Sequence, residues 1–411
     1  GILDYVTAWY KKAALYMQGT EIETAFVSTN SICQGEQVPA LWPDLMQKHG
    51  VTINFAHQTF KWSNEARGKA AVYCVIIGFS LHDRKTKKLY YYADITGAPA
   101  ETAVNQINAY LVDAPVIFIE KRSLPLCDVP AMTKGSSPTD DGNFLLTQEE
   151  KDALLAADKT LNQVIRPYTG AKEYLHNIPR YCIWLKDVSP AKYSHSKEIM
   201  HRLAKIKTFR SQSDRKATLK YADFPSLFVE IRQPDTNYLL IPRVSSENRP
   251  YIPIGFMDKN IIASDSTIFV PQATLYEFGV ITSAMHMAWM RAVCGRLEMR
   301  YRYSNTIVYN NFPWPAPTEK QKQAVTGAAQ KVLDARALYP ESSLAELYNA
   351  AAILPELLKA HQKLDKAVEA AYGRAFAGGG ERVAYLFELY QKLSGELFVD
   401  TKKRGKGRKA K

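Results

Sequence analysis

Two stretches of the chain hold residue types that could do chemistry on a flat ligand. The first is the segment 60–67, "FKWSNEAR", where two aromatics and several polar groups stand at a turn between two apolar strands. A turn between two core strands is more often exposed than buried. Ring faces stack on flat heterocycles, and an extruded base needs such a wall, so Phe60 and Trp62 are candidates for a stacking platform. Rings that merely cap the core of a hairpin would give the same pattern, and the residues alone leave both readings open. The second is "RLEMRYR", in which Glu298 and Arg300 stand two apart and, in an extended segment, would project from one face. They could form an exposed ion pair, or the carboxylate could take a cytosine amine and the guanidinium a guanine edge.

Basic residues are clustered. The chain carries 53 Lys+Arg against 41 Asp+Glu, a net charge of +12, and the segment 180–235 alone holds twelve basic residues against six acidic ones. Such clustering favours a polyanion over a small acidic molecule. Lys197, Arg202, Lys205, Lys207, Arg210, Arg215 and Lys216 lie on or just after a predicted helix, and numerous, scattered cations suit phosphates better than base edges. Each one singly could equally belong to a solvated helix face. The tail 402–411 holds seven basic residues and no acid, and is expected to be disordered and solubilising.

Other chemistry is poorly supported. Cys33, Cys74, Cys127, Cys182 and Cys294 are far apart with no CxxC pair, so neither a disulfide framework nor a thiolate metal site is expected, and a cytoplasmic setting is the economical reading. His57, His195 and His201 show no ligand spacing, and no metal is expected here. Asp113, Glu120 and Arg122 could imitate a nuclease constellation but read more simply as surface charge.

These residues must be positioned by ordered elements. Val6, Tyr10, Ala13 and Met17 repeat at helical spacing behind a possible Asp4 cap, predicting a helix over 4–18. The strand "TAFVSTNSI" follows, then a helix marked by Val38, Leu41 and Leu45 that ends at "KHG", then strands at 51–60 and 70–79 joined by "KWSNEARGK". Helix, strand, helix and a strand pair form the second half of an α/β sheet whose last strands turn antiparallel. The segment 123–147 is rich in Pro, Gly, Ser and Asp, a linker composition. A short helix, "QEEKDALLAAD", leads into a region of about 168–317 with Tyr/Ile/Phe-rich strands and helices at 194–209 and about 274–293. From Thr318 the composition becomes Ala/Leu/Glu/Lys helix.

A family resemblance becomes specific at this point. "FVSTNSICQGEQV" followed by "FAHQTFKWSNEARGKAAVYCVIIGF" resembles the later motifs of the amino-methylating DNA methyltransferases in single-chain type IIG/IIL restriction-modification enzymes. "IPRVSSENRPYIPIGF", "CGRLEMRYRYSNTIVYNNFPWP" and "LDKAVEAAYG…ERVAYLFELYQKL" are similar to the target-recognition domain and C-terminal helices of the MmeI-like subgroup. The matches run in the right order over nearly the whole chain.

The resemblance implies an organisation: the distal part of a Rossmann-like class I methyltransferase sheet at 1–147, an α+β target-recognition domain at 148–317, a C-terminal helical region at 318–401 and the basic tail. It implies an N6-adenine DNA methyltransferase with associated restriction, bacterial and cytoplasmic, acting on double-stranded DNA with S-adenosylmethionine as donor. Two family features are missing: no Asn-Pro or Asp-Pro pair occurs, and "AGGGE" at Ala377 follows a helix and not a parallel strand. The catalytic loop, most of the cofactor site and the Mg2+-dependent nuclease are therefore expected upstream, in the N-terminal remainder of the same polypeptide, and this chain alone is expected to be inactive. A non-catalytic specificity module acting in trans with a methylase subunit is the alternative.

Site roles follow from the same resemblance. Phe60 matches the aromatic that stacks on the flipped adenine, with Trp62 as a second candidate, and Ser28, Thr29, Asn30 and Ser31 would line the pocket. Glu298 and Arg300 would read one base pair directly. Arg243 and Asp265 are a second pair, with Arg302 and Ser266 beside them.

Overall fold

The computed structural model describes residues 3–62 and 72–406, with side chains to 395. The chain divides into two compact units. One gathers the segments 1–129, 283–325 and 364–411, and the other 130–282 and 326–363.

The first unit is built on a five-stranded sheet. Helix α1 (Thr7–Tyr16), strand β1 (Thr24–Thr29), helix α2 (Gln37–Pro43), strand β2 (Thr52–Trp62), strand β3 (Val72–Ser80), strand β4 (Lys87–Tyr91) and strand β5 (Ala100–Val104) follow in order. The sheet order is β1-β3-β2-β4-β5. β3 runs antiparallel to both β1 and β2, so those two are parallel to each other, and a helix connects them as parallel strands require. β1 ends at Thr29, where the chain tightens into a 3-10 turn over Asn30–Cys33, earlier than the strand expected to Ile32.

Alternation explains which side of β1 is covered. Phe26 and Ser28 face α1, where Tyr10 stacks on Phe79 at 5.4 Å and meets Phe26 edge-on at 5.2 Å. Trp42 of α2 joins this cluster and donates its indole N–H to the Ile32 carbonyl at 2.8 Å. Asp4 does not cap α1 with its side chain. Its carboxylate instead accepts from the Ser31 hydroxyl at 2.6 Å, tying the helix entry to the turn after β1.

In the second unit, two four-stranded sheets carry separate cores. One centres on Phe144, Cys182, Ile199 and Ile206, the other on Tyr238, Leu240 and Phe269. The segment 123–147, expected as a linker, is ordered packing over much of its length. Phe144 is fully buried, and Asp140 is buried with its carboxylate accepting from the Phe144 N–H. Thr139, Asp141 and Gly142 all have positive φ, so the turn-forming residues here build one tight corner and not a free tether. The helix expected over 274–293 is two helices, Leu275–Ile281 and Ala284–Val293, because Ser283 leaves helical backbone and caps the second.

Beyond residue 317 come the helices Glu319–Ala337, Leu344–Leu347, Pro355–Ala371 and Gly379–Lys406. The residues 63–71, which include most of the expected loop "KWSNEARGK", and 407–411 of the basic tail lie outside the described residues.

Candidate nucleic-acid interface

β1 and β2 are parallel, so Thr29 and Trp62 mark the same, carboxyl end of the sheet. Open α/β sheets place their ligands at that end. β2 reaches it through a β-bulge. His57 pairs with Ile76 and Phe60 with Cys74, so Gln58 and Thr59 stand opposite a single residue. A bulge re-aims the side chains around it, and this one turns Thr59 to meet Asn30, whose Nδ2 donates to the Thr59 hydroxyl at 3.3 Å.

Phe60 sits in a group of rings. Tyr92 stacks on it at 5.3 Å and 25°, Trp62 lies tilted at 6.2 Å, and His57 meets it edge-on at 6.4 Å. Tyr92 is held in turn by a hydrogen bond between its hydroxyl and His57 Nδ1 at 2.9 Å, and His57 stacks on Tyr90 at 4.1 Å. Burial pushes the His57 imidazole pKa down and the Tyr92 phenol pKa up, so a neutral ring accepting the phenol proton is the favoured pair. Phe60 is half-buried and Trp62 is 45 % exposed. The geometry is a shelf of stacked rings with an open outer member. Tyr92 and Thr59 were not singled out in the sequence, and His57 was weighed there only as a metal ligand, because neither the bulge nor the β2–β4 pairing that brings Tyr90 beside His57 leaves a local signal.

The four polar residues after Val27 separate. The Ser28 hydroxyl is spent on Tyr10 Oη at 3.0 Å, on the α1 side of the sheet, so it does not share a pocket with Thr29. Ser31 is engaged with Asp4 and with Thr29 Oγ1. Asn30, buried, is the member that reaches β2.

Glu298 and Arg300 do not lie in one extended segment. Strands Gly295–Leu297 and Arg300–Arg302 pair as a hairpin, and Glu298 occupies its two-residue turn with φ at +59°. Both side chains are exposed and they bridge each other at 2.9 Å. Arg302 is exposed on the second strand. The other pair is arranged differently. Arg243 Nη1 donates to the backbone carbonyl of Asp265 at 3.0 Å, while the Asp265 carboxylate lies 3.5 Å from Lys134 Nζ. Ser266 is exposed, but its hydroxyl accepts from the Ala171 N–H at the start of a helix.

The expected phosphate set divides as well. Lys197, Lys205, Lys207, Arg215 and Lys216 are exposed. Arg210 is not available. It is fully buried, and its guanidinium donates to the carbonyls of Pro138, Thr139, Tyr221, Phe224 and Leu227 at 2.8–3.2 Å. That uses every donor the group has. Arg202 is largely buried and bridges Glu150 and Glu198, both at 2.8 Å, so its charge is already neutralised. The Glu120 and Arg122 carbonyls accept from the Asn311 and Asn310 amides, tying this strap to the segment 305–312, and the Asp113 carboxylate accepts from the Gln106 N–H at 3.2 Å.

Among the described residues no group of His, Cys, Asp or Glu could hold a metal ion, and no helix is long and apolar enough to cross a membrane.

The first unit thus carries a five-stranded sheet with a group of rings at the carboxyl end of β2 and an exposed acid–arginine hairpin, and the second unit carries a basic helix. Comparison makes this specific. Residues 1–91 match the DNA-methyltransferase domain of MmeI, 113–316 its target recognition domain and 317–398 its C-terminal domain. The chain belongs to the MmeI-like family of type IIG/IIL restriction-modification enzymes. It is 38 % identical over 395 residues to a DNA methyltransferase A of Bacillus subtilis (strain 168), covering 96 % of this chain and 44 % of the relative. It is 48 % identical to a solved structure of the type IIL restriction-modification enzyme MmeI in complex with DNA, with a TM-score of 0.89, covering 96 % of this chain and 53 % of that one. The chain thus spans about half the length of these relatives.

Proposed function

We propose that this chain supplies one wall of a base pocket and the base-reading surface of an adenine-specific DNA methyltransferase. The observation that carries this is the Phe60–Tyr92 stack at the carboxyl end of two parallel strands, beside the Asn30–Thr59 contact. An adenine swung out of the duplex would lie on Phe60, supported from behind by Tyr92, with Trp62 as the outer flank. Stacking is worth about 1–3 kcal/mol per base. Orientation of the exocyclic amine is the larger task, since transfer to nitrogen needs the amine held in line and no activated protein nucleophile.

Among the described residues no glycine-rich strand-to-helix turn of the kind that holds S-adenosylmethionine is present. The glycine-rich run at 378–380 opens a helix but follows the helix Pro355–Ala371, where a parallel strand would be required. The methyl donor, the amine-binding loop and a Mg2+-dependent nuclease therefore belong, in this reading, to the N-terminal remainder of the intact polypeptide. No step through them is assigned to this chain, and the chain by itself is inactive in this reading.

Double-stranded DNA is the partner. Glu298 and Arg300 read one base pair, Arg243 and Asp265 with Arg302 and Ser266 contribute less freely, and the exposed cations at 197, 205, 207, 215 and 216 bind phosphates. In the intact natural protein, Phe60→Ala is expected to lower methylation roughly tenfold to a hundredfold, the worth of a lost stack, with DNA affinity retained. Wild-type turnover on an ordinary duplex would remove Phe60 from the pocket.

A further inference from the structure

The recognition hairpin and the pocket edge touch at three points within one compact unit. The Gly35 N–H donates to the Val293 carbonyl at 3.2 Å. Gly35 itself has φ at +50°, and a Cβ added there would come 3.0 Å from Gly295 Cα, so the turn after β1 and the start of the hairpin approach as closely as backbones allow. The third point is at the hairpin tip. Met299, buried between exposed Glu298 and Arg300, presents its sulfur to Asn30 Nδ2 at 3.7 Å.

Met299 is fixed from its own side too. Its carbonyl accepts from Arg296 Nη1 at 3.0 Å, and the Arg296 guanidinium lies over the Tyr301 ring at 4.2 Å. A thioether accepts weakly and cannot donate. It therefore meets the amino side of the Asn30 amide and selects one of its two orientations. With one N–H on Met299 and the other on Thr59, Oδ1 is the atom Asn30 has left to offer, and it has no partner among the described residues.

We propose that Met299 is a positioning residue that couples base reading to the base pocket, by setting the position and orientation of Asn30 according to how the hairpin tip is seated. This rests on the pocket reading of Phe60 and Asn30. When Glu298 and Arg300 exchange their mutual bridge for the edges of the correct base pair, the turn between them carries Met299 with it. Cores transmit such small shifts because they are close-packed. The wrong base pair leaves the tip, and so Asn30, out of place. Discrimination then appears in the rate of transfer as well as in affinity.

The test uses the intact natural protein and the duplex sequence it methylates, established beforehand by mapping methylated sites. Met299→Ala and Met299→Leu are compared with wild type in single-turnover methyl transfer, in DNA affinity, in thermal midpoint, and in the fluorescence of 2-aminopurine placed at the target base. Met299→Ala is expected to slow transfer by roughly tenfold to a hundredfold, the scale of a slightly misplaced reacting group, with affinity retained and the thermal midpoint lowered by the cavity a truncated buried side chain leaves. Met299→Leu keeps the volume without the acceptor and is expected to fall between. The rate advantage of the correct duplex over one altered at the hairpin-read base pair shrinks in both. Wild-type rates in both variants would overturn the coupling, as would a loss of affinity in step with rate, which marks simple collapse of the hairpin. Wild-type rate for Phe60→Ala removes the pocket reading itself, whereas a slow Phe60→Ala with unaffected Met299 variants removes the coupling alone.

Discussion

Arg210 and Arg300 stand out in the sequence for the same reason, a basic side chain in a segment suited to DNA, and they end in opposite settings. On the helix Lys197–Ser211, Arg210 shares the inward face with Ile199, Leu203 and Ile206 and closes a ring of five carbonyls. At the hairpin 295–302, Arg300 is exposed and its guanidinium bridges its exposed neighbour Glu298. A buried guanidinium with every donor satisfied organises the chain around it, and removing it strands several acceptors. An exposed pair in water is worth about 0–1 kcal/mol, so it can be exchanged for base edges at little cost. Charge count therefore does not separate the two settings, but position relative to the apolar face does.

The largest effect that could break this contrast is on stability. Arg210→Ala is expected to destabilise the second unit by about 3 kcal/mol or more, through unsatisfied buried carbonyls, measured by denaturant unfolding. A near-neutral result would return Arg210 to the surface and to the phosphate set. Arg300→Ala is expected to leave stability within about 0.5 kcal/mol, as for surface substitutions.

Next in size is specificity. Glu298→Lys combined with Arg300→Asp should change the base specified at one position, worth about 1–3 kcal/mol of discrimination, with nonspecific DNA affinity similar. Mapping of methylated sites checks this, and an unchanged site would withdraw both residues as readers. The same exchange at Arg243 and Asp265 is expected to be less clean, because Arg243 already holds the Asp265 carbonyl and Asp265 faces Lys134. Smallest is the phosphate effect: Lys205→Ala should weaken binding evenly across sequences and lower the salt dependence of log K by about one unit of slope.

Much of the sheet was legible from period and punctuation. The strand-forming residues of "TAFVST", the continuous apolar run of "VYCVIIGF" and the helical spacing of Val38, Leu41 and Leu45 lead directly to β1, β3 and α2. The residues that shape the site were less so, for identifiable reasons. A bulge adds one residue to one strand and has no local signature, so the Thr59–Asn30 contact was hidden. Glu298 adopts a positive φ that a glutamate rarely takes, so the hairpin turn read as continuous strand. Ser28 and Thr29 fall on opposite faces of β1, which the two-residue period of a strand could have indicated. Arg210 had a signal that was available: it extends the spacing of Ile199, Leu203 and Ile206.

Phe60 and the hairpin are expected to act on one bound duplex. A structure of the intact natural protein with its DNA site and a donor analogue tests this most directly. The expected result is the target adenine out of the stack with its ring against Phe60, and the Glu298–Arg300 bridge opened onto one base pair. An adenine bound away from Phe60, with that bridge intact and facing solvent, would contradict it.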